Sequence, residues 1–327
     1  MLTIQTDVRF SLSLVKPLER LTQYREMCLE ATLRAYRTGT RRRQVSPVSG
    51  KRLEPYGRIG GLDYARCRES GSLFLAELPE PKVWRRLLSE ASSLRQLPTG
   101  VHQRLASSRW THVHRPKVAW IEETVRLQRV SGGRLMEAAT GLSDLFPFLQ
   151  VCSAFSTVVS QDEMGLAHPE LEPAGGGETA GHFQAAVLLE SLDRVDDPAR
   201  LIRSVADRLA PGGLLFVTAL VFSGFDMAVL GGKNLYLYPP DRANCFTLQG
   251  LRSLLEGQGL SLLEVSTPGV LDVEIVRAHL EMDPGLQVSP FERKIALSDE
   301  TTRNAFQEFL QQWSLSSFAR VVARSPA

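Results

Sequence analysis

Two continuous apolar runs with a helical segment between them constrain the fold of this chain more than any other feature. The runs are HFQAAVLLE at residues 182–190 and LLFVTALVF at residues 214–222. Neither run alternates apolar and polar residues as a half-exposed strand does. A continuous apolar run is typical of a strand that is buried on both faces of a sheet. Between them, Asp197 suits an N-cap and Pro198 the first helical position. The unit therefore predicts two parallel strands joined by a helix.

The connecting helix is also predicted from its apolar spacing. One side of it would hold four aliphatic residues, Leu201, Ile202, Val205 and Leu209. Pro211, Gly212 and Gly213 would end it. Further strands are predicted at residues 133–138, 155–160, 260–269 and 316–324, and further helices at residues 17–36, 83–94, 116–128 and 248–256. This alternation predicts an α/β fold with a parallel sheet covered by helices.

A second pattern lies nearer the N-terminus, in VSPVSGKRL and ARCRESGSLF. The pattern has two pairs of positions, and the two members of each pair are separated by two residues: Ser46 and Ser49, then Cys67 and Ser70. Seventeen residues separate the pairs, and this is the spacing of a four-cysteine zinc ribbon. A serine hydroxyl stays protonated and binds zinc poorly, so one cysteine cannot hold a structural zinc. We therefore expect no zinc, and a ribbon-like region that packs through apolar residues: Leu53, Tyr56, Leu62, Tyr64, Leu73 and Phe74.

Composition restricts the partners and the compartment. The net charge is +2, which gives no strong attraction to nucleic acid, and the run Arg41 to Arg43 is interpreted as a solvated face rather than a phosphate site. The four cysteines are far apart, as in reduced cytoplasmic proteins. No segment approaches the roughly 20 apolar residues of a membrane helix. A cytoplasmic protein without nucleic acid or membrane partners is expected.

The order of elements resembles that of the class I S-adenosylmethionine-dependent methyltransferases. The resemblance is strongest at residues 182–269, where FQAAVLLESLDRVDDPARLIRSVADRLAPGGLLFVTAL is similar to the family's strand, Glu-His, Asp-Pro helix and Pro-Gly-Gly strand. It implies a Rossmann-like seven-stranded sheet with helices on both faces. The ribbon pattern resembles a subgroup with a four-cysteine ribbon, often thought to methylate sugars or glycans. The resemblance covers the chain from about Val45 onward.

The resemblance also implies a domain organisation. A helix and a degenerate ribbon-like region would occupy residues 1–100, and the methyltransferase-like domain residues 101–327. Residues 271–314, largely helical in pattern, would form an insertion over the mouth of the active site and set specificity.

The cofactor residues follow from the same resemblance. The family's Glu-x-Gly-x-Gly-x-Gly loop after the first strand is EAATGLSD here, so Glu137 and Gly141 are kept, while Ala139 and Ser143 replace glycines. Alanine or serine fits such a loop only where φ stays negative. The acid that holds the ribose would be Asp162, or Glu163, although neither is predicted directly at the strand end. The family's Phe-Asp is Phe183-Gln184, and Gln184 and Glu190 complete the expected cofactor set.

The catalytic candidates are Glu190, Asp193, His112 and His114, with Asp226 as a further possible base. Arg194 and Arg242 stand where the family has histidines, and arginine cannot act as a base at pH 7. His112 and His114 alternate in RWTHVHRPK, which we interpret as an extended piece. They could reach an acceptor or be ordinary surface histidines. Tyr236, Tyr238 and Phe246 could line an acceptor pocket or belong to the core.

Two functions remain open from the sequence. The first is an active methyltransferase that uses S-adenosylmethionine on a small-molecule acceptor of sugar or glycan type. The second is a catalytically inactive relative that holds a protein partner. The loss of the family's cysteines, glycines and histidines favours this second function. Glu137, Gly141 and the Pro-Gly-Gly turn favour the enzyme.

Overall fold

The computed structural model describes residues 11–15, 17–94, 105–130, 132–140, 145–163, 172–173 and 182–326. Its strands are β1 Thr40–Arg42, β2 Glu54–Ile59, β3 Leu62–Arg66, β4 Leu73–Leu75, β5 Glu77–Pro79, β6 Arg134–Ala139, β7 Thr157–Asp162, β8 Glu172–Pro173, β9 Phe183–Leu189, β10 Leu209–Leu220, β11 Asn244–Cys245, β12 Ser261–Ser266 and β13 Phe318–Arg324. Its helices are α1 Leu12–Val15, α2 Leu18–Tyr36, α3 Pro81–Leu94, α4 Arg115–Leu127, α5 Phe146–Leu149, α6 Pro198–Ala206, α7 Phe225–Leu230, α8 Leu248–Glu256, α9 Asp272–Met282, α10 Pro290–Ala296 and α11 Glu300–Gln312. A π-helical turn, Trp110–His114, precedes α4, and a 3-10 turn, Gly231–Lys233, follows α7.

The central sheet has seven strands in the order β12-β13-β10-β9-β6-β7-β8. The strands from β10 to β8 are parallel, and β13 runs antiparallel to both of its neighbours. Along β6, Leu135 packs with the helices of one face and Met136 with those of the other. The predicted α/β fold, a Rossmann-like sheet covered on both faces, is confirmed.

Two predicted boundaries are wrong by a few residues. The helix α6 ends at Ala206, and Leu209 belongs to β10, where it pairs with Phe183. An irregularity in the ladder between Leu209 and Leu214 contains Gly212 at φ +74°, so the Pro-Gly-Gly turn lies inside the strand rather than after a helix. The strand β7 also begins and ends two residues later than predicted, and this moves Asp162 to its end.

The ribbon-like region forms a four-stranded antiparallel sheet in the order β11-β4-β3-β2. The side chains predicted to pack it are buried apart from Tyr56, which is 42% exposed. The positions with ribbon spacing meet around Cys67. Burial raises the pKa of the Cys67 thiol, but hydrogen bonds with Ser46, Ser49 and Ser70 outweigh it and lower that pKa below its usual value. Three hydroxyls therefore surround the one remaining thiol.

The ribbon-like region and the main sheet are joined, because β11 comes from the C-terminal part of the chain. Phe74 of β4 pairs with Asn244 of β11. Any boundary near residue 100 lies outside the described residues, so a division at that position stays a prediction. Within the described ranges, no group of three or more His, Cys, Asp or Glu side chains is arranged to hold a metal ion.

The arginine run is not a simple solvated face. Arg43 is half-buried beside the loop after β9, where its guanidinium donates to Asn244 Oδ1 at 2.6 Å and to the Asp196 carbonyl at 2.7 Å. Arg41 pairs with the Asp196 carboxylate at 2.9 Å. Two of the three arginines therefore attach the ribbon-like region to that loop.

Residues 271–314 contain the three helices α9 to α11, as their pattern predicted. They connect the carboxyl end of β12 with the start of β13, which is antiparallel to it. Both of these points lie at the edge of the sheet where the parallel strands end. No helix in the described ranges is long and apolar enough to cross a membrane.

Candidate functional site

Three carboxylates lie at the carboxyl ends of three adjacent parallel strands. Glu137 is near the end of β6, Asp162 is the last residue of β7, and Glu190 follows the last residue of β9. The strand β6 lies between β9 and β7 in the sheet. Both of these strands come after β6 in the chain, but they lie on opposite sides of it, so the strand order reverses at β6. In doubly wound sheets, ligands bind at such a reversal of strand order.

The carboxylate of Glu137 is held by its neighbour on β7. Ser160 pairs with Glu137 in the ladder, and its hydroxyl donates to Glu137 Oε2 at 2.7 Å. Glu137 is buried, with 5% of its surface exposed. The serine fixes the direction of this carboxylate at the edge of the sheet.

The replacement of the first loop glycine by Ala139 costs no backbone strain. Ala139 ends β6 and is absent from the described non-glycine residues with positive φ, which are Arg129, Glu190 and Ser314. The loop predictions on Gly141 and Ser143 fall outside the described residues.

Asp162 occupies the strand end that the sequence alone did not give it. It lies opposite Ala139 and is 7% exposed. The alternative acid, Glu163, forms an ion pair with Arg208 at 2.5 Å, and burial raises its pKa against the opposing effect of that arginine. Asp162 is therefore the better placed of the two acids for a ribose.

The prediction that Gln184 holds the cofactor is corrected by its position. Gln184 is the second residue of β9 and accepts a hydrogen bond from the Arg134 N–H at 2.7 Å through its Oε1. Both residues are at the amino ends of their strands. At about 3.3 Å per residue, Gln184 is on the order of 15 Å from the carboxyl edge.

Glu190 and Asp193 are brought together by a cation that lies between them. Arg242 approaches Glu190 Oε2 at 3.3 Å and Asp193 Oδ2 at 3.1 Å. Lys117 of α4 reaches the other oxygen of Glu190 at 3.3 Å. Burial lowers the pKa of Lys117, and the charge of Glu190 opposes this shift. A chain of four alternating charges therefore lies across the carboxyl edge.

Glu190 and Asp193, the two acids among these four charges, differ in exposure. The Glu190 side chain is 30% exposed, whereas that of Asp193 is 0% exposed. Burial raises the pKa of Asp193 to about 7, and Arg242 only partly opposes it. The Leu220 N–H also donates to Asp193 at 3.2 Å. Glu190 can meet an acceptor, whereas Asp193 can act only by holding Arg242.

Glu190 also has an uncommon backbone conformation. Its φ is +55°, a left-handed value that usually costs a non-glycine residue about 1 kcal/mol or more. The Glu190 N–H donates to the Thr218 carbonyl at 2.8 Å, which holds this turn against β10. Strain of this kind often marks a functional position.

His112 and His114 are not on an extended piece, so that part of the prediction is wrong. They belong to the π-helical turn Trp110–His114, where Trp110 and His114 stack on the ring of Phe148 at 4.1 and 5.7 Å. His114 is buried, with 6% exposed. The turn leads directly into α4, the helix that carries Lys117.

The remaining aromatic candidates belong to the core. Tyr236, Tyr238 and Phe246 are all buried. Phe246 meets the edge of Phe74 at 5.9 Å, and Tyr238 meets Tyr24 at 5.9 Å. Of the three, Phe246 packs on the ribbon-like region through Phe74, and Tyr238 packs on α2 through Tyr24.

Arg194 has a structural position instead of the catalytic one of the family histidine. Its carbonyl accepts from the Trp84 indole at 2.9 Å, and its guanidinium pairs with Asp241 at 3.6 Å. Tyr24 of α2 also donates to Asp241 at 3.3 Å. The N-terminal helices therefore fix the loop that carries Glu190 and Asp193.

Asp226 lies in a separate buried cluster. It accepts from Asn234 Nδ2 at 2.9 Å and from the Ser317 hydroxyl. Asp272, at the start of α9, accepts from the Ser317 N–H at 2.6 Å. Burial and the charge of Asp272 raise the pKa of Asp226 to about 7. The cluster ties α7 and α9 to the segment before β13.

This cluster predicts a pH dependence of stability. Because the folded-state pKa of Asp226 is above its usual 3.8, the folded chain holds a proton that the unfolded chain releases. The stability contributed by this proton is complete below pH 4 and is lost as the pH rises through 7. Between pH 5 and 8, unfolding in urea should show wild-type stability falling relative to Asp226→Asn, by at most about 1.4 kcal/mol per pH unit.

The matched control for this experiment is Asp207→Asn, which changes an exposed aspartate at the end of α6. Its stability should follow the wild type at every pH. Parallel curves for wild type and Asp226→Asn would contradict the prediction.

Neither Lys117 nor the ion pairs of Arg242 could be predicted from the sequence. Lys117 is 73 residues from Glu190 in the chain, and Arg242 is 52 residues from it. No local pattern connects such positions. The only available signal was that Arg242 replaces a histidine beside an acidic site.

The central part of the chain is similar to known proteins. A family model described as a methyltransferase domain matches residues 112–265. The ubiquinone biosynthesis O-methyltransferase of Xanthomonas axonopodis pv. citri (strain 306) is 34% identical over 147 residues, which cover 41% of this chain and 61% of the relative. The enzyme of the same name from Azotobacter vinelandii (strain DJ / ATCC BAA-1303) is 26% identical over 136 residues, 36% and 57% of the two chains. The match thus spans less than two thirds of either relative.

Solved structures give more distant similarities. Phosphoethanolamine N-methyltransferase 2 of Haemonchus contortus, in complex with S-adenosyl-L-methionine, is 14% identical with a TM-score of 0.39, covering 64% of this chain and 53% of that one. An S-adenosylmethionine-dependent methyltransferase from Mesorhizobium loti is 18% identical with a TM-score of 0.36, covering 62% and 96%.

Proposed function

We propose that this chain, which matches a methyltransferase-domain family model over residues 112–265, transfers a methyl group from S-adenosylmethionine to a hydroxyl oxygen of a small molecule. The observation that carries the proposal is the row of carboxylates Glu137, Asp162 and Glu190 at the carboxyl ends of β6, β7 and β9. That edge is where this sheet topology binds ligands.

The residues at this edge fit the cofactor. Carboxylate oxygens accept hydrogen bonds, so Asp162 can hold the hydroxyls of a ribose, and Glu137 can hold further donors of the same ligand. Ala139 replaces a glycine without adopting positive φ, so the start of the loop is not distorted. When bound, S-adenosylmethionine supplies a methyl group that its sulfonium has already activated.

Glu190 is the residue we assign to the acceptor proton. Its side chain is partly exposed, and the cations of Lys117 and Arg242 each contact one of its carboxylate oxygens. An ionised carboxylate at the edge of the site can accept the proton that a hydroxyl loses as its oxygen is methylated. Asp193 positions Arg242, and Arg242 in turn positions Glu190.

The names of the relatives support a choice of acceptor. They are ubiquinone biosynthesis O-methyltransferases, so we favour a hydroxyl of a ubiquinone precursor over the sugar or glycan that the ribbon pattern suggested. An inactive scaffold, the other function considered from the sequence, would not need an accessible and charged Glu190.

The experiment is calorimetric titration with S-adenosylmethionine and S-adenosylhomocysteine. We expect micromolar binding to the wild type and at least about tenfold weaker binding to Glu137→Gln, which corresponds to about 1.4 kcal/mol. Glu256→Gln, which changes an exposed glutamate at the end of α8, should bind like the wild type. No binding up to millimolar ligand by folded protein would contradict the proposal and support the scaffold.

A further inference from the structure

The hydroxyl of Tyr64 connects the ribbon-like region with the candidate site. It donates to the carbonyl oxygen of Arg242 at 2.8 Å, and the two residues are 178 positions apart in the chain. Both are buried, since Tyr64 is 1% and Arg242 7% exposed. A buried carbonyl that loses its donor is left unsatisfied, so this contact restrains both residues. It therefore joins the ribbon-like region to the residue that bridges Glu190 and Asp193.

Tyr64 is fixed on its own side of this contact. It lies in β3, which has β4 on one side and β2 on the other, and it pairs with Leu75 of β4 and with Gly57 of β2. Burial raises the pKa of its hydroxyl well above the usual value, so the group remains a hydrogen-bond donor at neutral pH. A donor on a strand paired on both edges has a stiff support.

The carbonyl of Arg242 has no second donor of similar strength among the described residues. The Cys245 thiol donates to it at 3.5 Å, and a thiol is a weak donor. The Arg242 N–H is held separately, because it donates to the carbonyl of Tyr238 at 2.8 Å. An arginine side chain is long and flexible, so the position of its backbone limits what its guanidinium can reach. Tyr64 therefore controls where the guanidinium of Arg242 can lie.

We propose that Tyr64 is a positioning residue of the candidate site: its hydroxyl holds the backbone of Arg242 so that the guanidinium lies between Glu190 and Asp193. This proposal rests on the proposed function only for its effect on catalysis, because the contacts among these four residues do not depend on any reaction. It gives the ribbon-like region a task that requires no metal. The region supports the residue that orients Glu190.

The carboxylate of Asp193 reports the position of Arg242. The charged groups that act on it include Arg242, Glu190 and Arg194. The Cys245 thiol also lies nearby, but burial and the charge of Asp193 raise its pKa to about 12, so it stays protonated. The Arg242 cation favours the ionised form of Asp193. If the guanidinium moves away, the pKa of Asp193 should rise above its value of about 7.

Carbon-13 NMR of protein labelled at the aspartate carboxyl carbons measures this pKa, and Asp193→Asn identifies the signal. Tyr64→Phe removes only the hydroxyl, and the midpoint of Asp193 should rise by about 0.5 pH unit or more. Tyr36→Phe is the matched control, since it removes another bond from a tyrosine to a carbonyl, that of Glu77 at 2.5 Å, and should leave the midpoint unchanged. Equal midpoints for wild type and folded Tyr64→Phe overturn the proposal.

A donor restored at the same place should restore the pKa. At position 64, 4-aminophenylalanine carries an N–H where tyrosine has its O–H, so this variant should titrate like the wild type. In contrast, 4-methylphenylalanine fills the same space without donating and should titrate like Tyr64→Phe. It also replaces the phenylalanine variant if circular dichroism shows that the latter does not fold. A wild-type midpoint with 4-methylphenylalanine would show that Tyr64 acts by packing alone, and this overturns the proposal.

Activity separates this proposal from the proposed function. With catechol as the probe acceptor, Tyr64→Phe should lower kcat about fivefold or more while KM for S-adenosylmethionine changes less than about twofold, because only Glu190 loses its orientation. A wild type that binds no S-adenosylmethionine, or that does not methylate catechol, counts against the proposed function alone, since the titration needs no turnover. A raised Asp193 midpoint with unchanged kcat overturns the effect on catalysis.

Discussion

Arg242→Met should destabilise the folded chain by about 3–5 kcal/mol, measured by urea unfolding at pH 8. Arg242 contacts Asp193 at 3.1 Å and Glu190 at 3.3 Å, and Asp193 is completely buried. Methionine has a similar length but carries no charge, so the buried carboxylate of Asp193 would lose its cationic partner, whereas Glu190 would keep Lys117. A buried charge that loses its partner is among the most destabilising of single changes.

The pH and a second substitution separate this cause from lost packing. The pKa of Asp193 is already about 7, and removal of Arg242 would raise it further. At pH 5 Asp193 is protonated, so the destabilisation should be smaller there. The double variant Asp193→Asn/Arg242→Met should recover part of the stability lost in Arg242→Met. The asparagine introduced at position 193 carries no charge, and its amide oxygen can still accept a hydrogen bond from the Leu220 N–H.

A surface arginine serves as the matched control. Arg203→Met on α6 removes an exposed hydrogen bond to Gln258 and should change stability by no more than about 0.5 kcal/mol. Equal urea midpoints for wild type and Arg242→Met would show that the charge chain does not contribute to stability.

Asn244→Ala should cost about 3–4 kcal/mol, again measured by urea unfolding. The Asn244 amide donates to the carbonyls of Leu192 and Val195, each at 2.7 Å, and accepts from Arg43 at 2.6 Å. Its side chain is fully buried, so no water can replace these partners. Each buried polar group left without a partner costs about 1–3 kcal/mol.

Two comparisons make this prediction specific. Gln150→Ala removes an exposed amide after α5 and should be nearly neutral. Asn244→Asp keeps the acceptor for Arg43 but turns a carboxylate oxygen toward two carbonyls, so it should be at least as harmful as alanine. If Asn244→Asp were as stable as the wild type, the two carbonyl contacts would contribute little.

The fold was predictable because its strongest signals are local. The apolar runs that became β9 and β10 are buried on both faces, and the residues Asp197 and Pro198 begin α6 as their types suggested. The order of these units defines a doubly wound sheet without knowledge of any long-range contact.

The candidate site was predictable only where it coincides with strand ends. Glu137 and Glu190 follow from the ends of β6 and β9. Gln184 was misplaced because a motif at the start of a strand was read as part of the site at its end. His112 and His114 were misread because alternation in a five-residue piece fits an extended segment as well as a π-helical turn.

The partners of Glu190 were beyond local prediction for a different reason. Lys117 and Arg242 reach it from α4 and from the segment before β11, and only the assembled fold brings those segments together. Electrostatic partners of this kind leave no periodic trace in a sequence.

The sharing of β11 between the two parts of the chain affects the order in which they can be completed during synthesis. The β4–β11 pairing is accompanied by a hydrogen bond between Ser72 and the Thr247 N–H, 175 residues apart. At about 5–20 residues per second, a ribosome needs roughly 10–35 s to make that stretch. For that time the edge of β4, whose Leu73, Phe74 and Leu75 are fully buried at the end, stays open to other strands. A nascent chain of this protein therefore presents an unpaired apolar strand edge until residues 244–247 have been made.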